Sequence, residues 1–384
     1  MGCFVVKNII NTSMKCTVDW TYQGNLNLSS QPIYVSPGFK DGEDAANFAL
    51  SWMVPISVIH GDTIKLPYPI SEYSYNFWNT KMNSLSSFYK QIYPVNIIPV
   101  KDKLIKNYDS KGCFLFWGGG IDSCSALVKL ISEGKKPHLV RFYRNNKDLE
   151  NGLNFQYMKS IANHFDLKFS IIRQNFISYS KYLTKVVDEY IVRDNPYFFW
   201  EYPPFCEDKN HRKNVLFGFI WQGFHFFFAS LGLVTSQANQ LYMGGSTDDS
   251  MEAYCFGFSM GDNIGYRGIN FDPYIPGNKA EQFDLLYNKY PDMAKWIKSC
   301  PNEKVQWCGR CEKCYEASLG QLAVGVQNPI SIRKFKINFY PYTLGLMINM
   351  LAFYRKNQKR QLEVEKKLIL AIYSTMERAA CVRD

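Results

Sequence analysis

Several features that would settle the class of this chain at once are missing from it. There is no internal repeat and no low-complexity tract, which excludes a solenoid, a fibrous array or a chain that is disordered throughout. The start, MGCFVVKNIINTS, lacks a basic region followed by an apolar block and a small-residue cleavage site, so no secretory route is expected. Gly2 alone hints at myristoylation, but Val6 stands where that signal needs Ser or Thr. One stretch, VLFGFIWQGFHFFFASLGLV (215–234), is long enough to span a bilayer. Gln222, His225 and Ser230 interrupt it and no second span accompanies it, so it reads as a buried helix and no membrane association is expected. A disulfide framework is missing too. The eleven cysteines are odd in number, four lie between 300 and 314, and the rest are scattered, as suits a reducing cytoplasm with one metal site.

What is present points to a folded protein of more than one domain. The 384 residues suit two or three domains, and 46 % hydrophobic with 16 % aromatic content supports a sizeable core. The formal net charge of +10 fits a surface that attracts polyanions, whether nucleotides, nucleic acid or an acidic protein. It fits a merely Asn/Lys-rich soluble protein equally, and charge alone does not choose.

Residues 1–108 are rich in β-branched and aromatic residues with frequent turn signals, and read as a β-containing N-terminal domain with helices near ANFALSWMV and NFWNTKMNSLSSFYKQIY. From Cys113 short apolar strands alternate with helices: CFLFW then DSCSALVKLISEG, PHLVRFYR then LNFQYMKSIANHF, KFSIIRQNF then the apolar stretch 215–234, and finally QLYMGGSTDDS. That alternation predicts an α/β fold with a doubly wound parallel sheet over about 109–320. Residues 321–384 read as a helical C-terminal extension with a basic segment, RKNQKRQLEVEKK. The patch FYRKNQKR (353–360) is more simply an exposed helix face than a nucleic-acid site, so direct nucleic-acid binding is not expected.

The stretch FLFWGGGIDSCSALVKL, from Phe114, holds three consecutive glycines between a strand and a helix. In a doubly wound sheet such a turn lets backbone N–H groups approach a phosphate, and the helix N-terminus adds partial positive charge. Asp122 can reach a magnesium ion or cap the helix; Ser123 can bind phosphate oxygens or cap it. No Lys follows the glycines, which rules out a Walker A loop, and Ser123 stands where a dinucleotide fingerprint needs its third Gly. A tight strand-to-helix turn with no ligand is the plain alternative.

The second constellation is SCPNEKVQWCGRCEKCYEA, with Cys300, Cys308, Cys311 and Cys314 spaced C-x7-C-x2-C-x2-C. Four thiolates this close can close a tetrahedron around zinc, and such a site keeps no open position, so its role would be structural. An iron–sulfur cluster or unliganded cysteines are the alternatives.

GGGIDS (118–123) matches the Ser-Gly-Gly-x-Asp-Ser pyrophosphate loop of N-type ATP pyrophosphatases, with Gly118 in place of the first Ser. Together with the cysteines it resembles the QueC family of 7-cyano-7-deazaguanine synthases, whose glycine loop is followed late in the chain by a C…CGxCxxC zinc motif. HRKNVLFGFIWQGFHFFFASLG (211–232), QLYMGGSTDDS (240–250) and NKAEQFDLL (278–286) resemble further family segments in the same order, so the likeness covers about 113–320. QueC has neither the leading nor the trailing extension; QueC-like proteins with extra domains occur in anti-phage systems, where the acceptor can be a protein. WCGRCEKC (307–314) with the glycine loop also resembles MurL-type epimerases of a muramoyl-glutamate.

The resemblance implies a fold of the adenine nucleotide α-hydrolase type, zinc on the four cysteines, and ATP with Mg2+ at the loop. It implies activation of a carboxylate, such as 7-carboxy-7-deazaguanine, as an adenylate, and transfer to ammonia or to an amine of a partner protein. Gly118, Gly119, Gly120, Asp122 and Ser123 would hold ATP, with Tyr143 and Arg144 near the adenine. Arg212 and Asn214 would contact phosphate or substrate, Asp248 and Asp249 a guanine-like edge or magnesium, and Lys279 the ligand. For each the plain reading stays open: a solvated helix end for Arg212 and Asn214, a helix cap for the Asp pair, a solvated side chain for Lys279. His225, in an apolar stretch, reads as a core histidine. A nucleotide-binding scaffold without catalysis is the non-enzyme reading. The N-terminal region would position a protein acceptor, form a homodimer interface or cover the sheet edge.

Overall fold

A computed structural model describes residues 2–25, 28, 30–57, 61–88, 95–102, 107–143, 152–175, 225–246, 264–300, 302, 304–326, 329–331, 348, 350–356 and 369. Its centre is one eleven-stranded mixed sheet. The strands are β1 (Cys3–Asn11), β2 (Cys16–Gln23), β3 (Ile33–Ser36), β4 (Thr63–Ser71), β5 (Asn96–Asp102), β6 (Cys113–Phe116), β7 (His138–Tyr143), β8 (Phe169–Gln174), β9 (Gln240–Gly244), β10 (Ile264–Tyr266) and β11 (Ile269–Tyr274). They lie in the order β10-β11-β9-β6-β7-β8-β3-β2-β1-β4-β5. Parallel pairing runs unbroken from β11 through β9, β6 and β7 to β8. Antiparallel pairing of β8 with β3 then joins this half to the N-terminal strands. The junction is short, Val35 opposite Gln174 and Ser36 opposite Arg173, but Asn175 lengthens it. Its Oδ1 accepts from the Tyr34 N–H at 2.9 Å and its Nδ2 donates to the Pro32 carbonyl at 2.8 Å.

Alternation along each strand sorts side chains to two cores. In β6, Phe114 and Phe116 enter one core and Leu115 the other, followed by Trp117. The first core lies under α1 (Gly42–Ser57), Trp78 of α2 (Glu72–Phe88) and the helical stretch 225–234. It buries Trp52, Phe48, Phe227 and Phe228 completely, each such side chain worth ~1.5–3 kcal/mol relative to exposure. The second core packs α3 (Ile121–Ser132), α4 (Leu153–His164), α5 (Lys279–Asp284) with its π turn Leu285–Lys289, and α6 (Glu312–Ala323) on the other face. Helices therefore cover both faces of the parallel half. In β1 and β2 buried positions alternate with partly exposed ones, as expected for strands with one covered face.

The expected alternation from Cys113 onward matches the observed elements up to β9. The hairpin β10–β11, which extends the sheet beyond β9, was not anticipated. Of the apolar stretch 215–234, residues 225–234 are helical and 215–224 lie outside the described residues. Of the expected C-terminal helices, 350–356 are helical and most of 332–384 is outside the described residues. Among the described residues no helix is long and apolar enough to cross a membrane.

A buried polar network locks the N-terminal half to the far edge hairpin. Arg267, in the left-handed region at φ 51° in the β10–β11 turn, donates to Asp41 at 2.8 Å, Asp44 at 3.3 Å and Tyr108 at 2.9 Å. The Tyr108 hydroxyl donates to Asp44 in turn. Burial pushes the Asp44 carboxyl up to about 7, although Tyr108 and Arg267 pull the other way. A carboxyl raised in the fold contributes stability that is complete below the ordinary carboxylate range and is lost as pH rises through about 7. Denaturant unfolding at pH 5 and pH 8 checks this: Asp44→Asn should lose less stability over that interval than the parent chain, and an equal loss in both would contradict it.

Candidate functional site

The glycine loop sits where the direction of winding reverses. From β6 the chain proceeds to β7 and β8 on one side, then returns to β9 on the other. Ligands of open α/β sheets bind beyond the carboxyl ends of the strands at such a switch point. Trp117 leaves β6 with its N–H donating to the Val140 carbonyl at 2.7 Å. Gly119 then takes φ +74°, a conformation side chains resist, and a Cβ there would lie 3.1 Å from Asn154 Oδ1 and 3.2 Å from Met158 Cγ. Gly120 is the extended N-cap residue of α3 and supplies no side-chain cap. The Ile121 N–H instead donates to Ser299 Oγ at 3.3 Å, and Ser123 Oγ donates to the Gly120 carbonyl at 3.2 Å. Gly244 at the end of β9 fixes the height of this turn: a Cβ there would meet the Asp122 carbonyl oxygen at 2.6 Å.

Lys279 reaches the loop from α5. A capping box, with the Glu281 N–H donating to Asn278 Oδ1 and the Asn278 N–H to Glu281 Oε2, each at 2.9 Å, fixes the start of that helix. The Lys279 side chain is 4 % exposed, so its charge needs partners, and they are present: an ion pair with Asp122 and a second, at 3.7 Å, with Glu316. Glu316 also pairs with Lys313 at 2.9 Å. Burial works against the Glu316 charge, but Lys313 and Lys279 outweigh it and hold the carboxyl below its usual range.

Cys300, Cys308, Cys311 and Cys314 form a cluster whose sulfur atoms all lie within 4.8 Å of one another. Cys308 and Cys311 stand 3.8 and 3.4 Å from Cys314, and Cys311 stands 3.8 Å from Cys300. A tetrahedral ion with metal–sulfur bonds of about 2.3 Å needs sulfur separations of about 3.8 Å, so the four residues fit a metal ion such as zinc. Against the cost of desolvation, backbone N–H groups of Arg310 and Cys311 bring the Cys308 thiol down to about 7.

The cysteine lobe is bonded directly to the glycine loop. The Lys298 N–H donates to the Gly119 carbonyl at 2.9 Å, next comes Ser299 on the Ile121 N–H, and next Cys300. The Lys298 ammonium is buried beneath the carbonyls of Cys300 and Asn302. Cys311 is the N-cap residue of α6, which carries Glu316 back to Lys279.

The structure thus gathers Gly118, Gly119, Gly120, Asp122, Ser123 and Lys279 at one end of the parallel strands, beside the four cysteines. Tyr143 ends β7 there. Lys279 is not the solvated side chain that its isolation in the sequence allowed, because Asp122 and Glu316 hold it. Arg144, Arg212, Asn214, Asp248 and Asp249 lie outside the described residues. His225 is fully buried against Phe48 and Trp52, with burial lowering its imidazole to about 3, so it is neutral and in the core. Arg141, Asn154, Lys298, Ser299 and Glu316 were not anticipated. Only two weak signals bore on them: Arg141 shares a strand face with Tyr143, and Ser299 directly precedes a cysteine. No family model matches the chain, and no curated protein matches it.

Two outcomes test this geometry. Lys279→Ala should destabilise the chain by about 2 kcal/mol, the scale of a hydrogen bond to a charged group left unmade. Combined with Asp122→Ala the loss should be smaller than the sum of the two single losses, and additive losses would mean that the pair does not interact. Chelation of bound metal, or Cys308→Ser, should speed hydrogen exchange in a peptide covering 117–123; unchanged exchange there would contradict the link between the cysteine lobe and the loop.

Proposed function

We propose that the parallel half is a nucleotide-binding unit of the adenine nucleotide α-hydrolase type and that the chain is an ATP-dependent ligase of the QueC-like kind. The single observation that carries this reading is the placement of the Cβ-free loop 118–120 at the sheet's switch point, opening a twelve-residue helix, with Lys279 against Asp122 at its rim. Backbone N–H groups there can take phosphate oxygens, and positive charge at the helix start favours them.

In this reading a substrate carboxylate oxygen bonds to the α-phosphorus of ATP while the bond from that phosphorus to the bridging oxygen breaks, and pyrophosphate leaves. The glycine loop and Ser123 hold the departing pyrophosphate, and Lys279 moves from Asp122 toward it, with Glu316 as its second partner. Magnesium, when bound near Asp122, supplies charge neutralisation of the phosphates. An amine then bonds to the acyl carbon, AMP departs and the amine gives up a proton. Ammonia yields an amide and, after a second activation, a nitrile; an amine of a partner protein yields a conjugate. Zinc on the four cysteines is structural, keeping Lys298 and Ser299 on the loop. The chain acts in the cytoplasm on a small-molecule carboxylate.

The test is turnover of ATP with 7-carboxy-7-deazaguanine and ammonium, following AMP, pyrophosphate and product mass. AMP with amide or nitrile is expected, and Asp122→Ala should reduce the rate at least 100-fold, on the scale of losing one positioned electrostatic group. ATP left unspent with every carboxylate offered, and a partner bound equally well by Asp122→Ala, would point to a scaffold.

A further inference from the structure

Among the described residues two lysines are buried, and their surroundings differ. Lys279 is held by the carboxylates of Asp122 and Glu316. Lys298 is 2 % exposed, and among the described residues no carboxylate lies within ion-pair distance of it. Its ammonium donates to the carbonyl of Cys300 and, at 2.8 Å, to that of Asn302. Peptide carbonyls satisfy N–H groups but bring no net charge, and an ammonium taken out of water without a counter-charge is costly. The residue it bonds to offers that counter-charge. Cys300 is itself 2 % exposed and supplies one of the four clustered sulfur atoms, 3.8 Å from the sulfur of Cys311. A divalent ion on four thiolates leaves such a site with two net negative charges. The other basic residues of 295–314, Lys295, Lys304, Arg310 and Lys313, are exposed, where water and salt screen them. Lys298 is thus the one buried cation that the described residues place beside the cluster.

We propose that Lys298 is the charge-balancing residue of the metal–thiolate site. Its buried ammonium offsets the net negative charge of a divalent ion on Cys300, Cys308, Cys311 and Cys314. The inference rests on the four cysteines holding a metal and is independent of what the glycine loop binds. The N–H of the same residue holds the Gly119 carbonyl. With an ion bound, the Lys298 side chain has an anionic site to stay against while its backbone stays against the loop. The charge also selects the ion. A thiophilic divalent cation such as Zn2+, Cd2+ or Co2+ forms a doubly negative complex, which gains more from a buried cation than the singly negative complex of a trivalent ion.

Titration of the full chain with Zn2+ against a competing chelator, and with Co2+ followed by its sulfur-to-metal charge-transfer absorption, tests this in Lys298→Met and Lys298→Arg. Methionine keeps much of the side chain's length and removes the charge. Lys298→Met should bind Zn2+ about ten-fold or more weakly, the scale of losing a partner just outside the metal ligands. Its Co2+ charge-transfer band should move to longer wavelength, because the sulfurs give up electrons more easily once the positive charge beside them is gone. Lys298→Arg keeps the charge and should stay close to the parent in both measurements. Weaker Zn2+ binding with an unmoved Co2+ band would mean that Lys298 only clamps the chain at 300–302, and would overturn the charge role. Zn2+ affinity in Lys298→Met equal to the parent's would overturn it too. If Lys298→Met does not fold, Lys298→Arg decides: retained affinity and band position support the proposal, and a loss of about ten-fold overturns it. A parent chain that takes up neither Zn2+ nor Co2+ would overturn the metal reading together with the proposal, a result distinct from any produced by the variants.

Discussion

The bond from the Lys298 N–H to the Gly119 carbonyl joins two parts of the chain that are far apart in sequence and depend on each other. Gly119 is held in a left-handed conformation, and a loop with no side chains has little packing of its own to keep it there. Lys298 and Ser299 press on it from outside, and the residue after them is the first of the four cysteines. Cys300, Cys308, Cys311 and Cys314 could hold a metal ion, and an ion bound there would keep this lobe rigid. Rigidity there passes to the loop through these two contacts and through α6, whose Glu316 holds Lys279 against Asp122.

The N-terminal strands serve the same end from the opposite direction. A parallel half ending at β8 would present an open edge, and β3 covers it. Beyond that, α1 packs over a core that the N-terminal strands share with β6, β7, β9 and the stretch 225–234. Asp44 on α1, Tyr108 and Arg267 then fasten the β10–β11 turn. The elements that carry the loop are thus braced on both sides of the sheet, which limits how far the loop can drift.

The local parts of this arrangement were legible in the sequence. An apolar strand, glycines and an amphipathic run opening at Ile121 name a strand–turn–helix unit by themselves, and four cysteines at 300–314 name a thiolate cluster. Long-range pairing was not legible. Nothing in IYVS predicts that it lies beside FSIIRQ, because the junction is two antiparallel residue pairs and one asparagine. Lys279 was visible only as a lone lysine; what it does depends on Asp122 and Glu316, 157 residues before it and 37 after it, meeting at one point.

A crystal structure of the full chain with a non-hydrolysable ATP analogue would test most directly whether the loop is a phosphate cradle. The predicted result is phosphate oxygens within about 3 Å of the N–H groups of Gly119, Gly120, Asp122 and Ser123, with Lys298 still on the Gly119 carbonyl and Ser299 still on the Ile121 N–H. An analogue bound away from the switch point, or no analogue bound at saturating concentration, would contradict it.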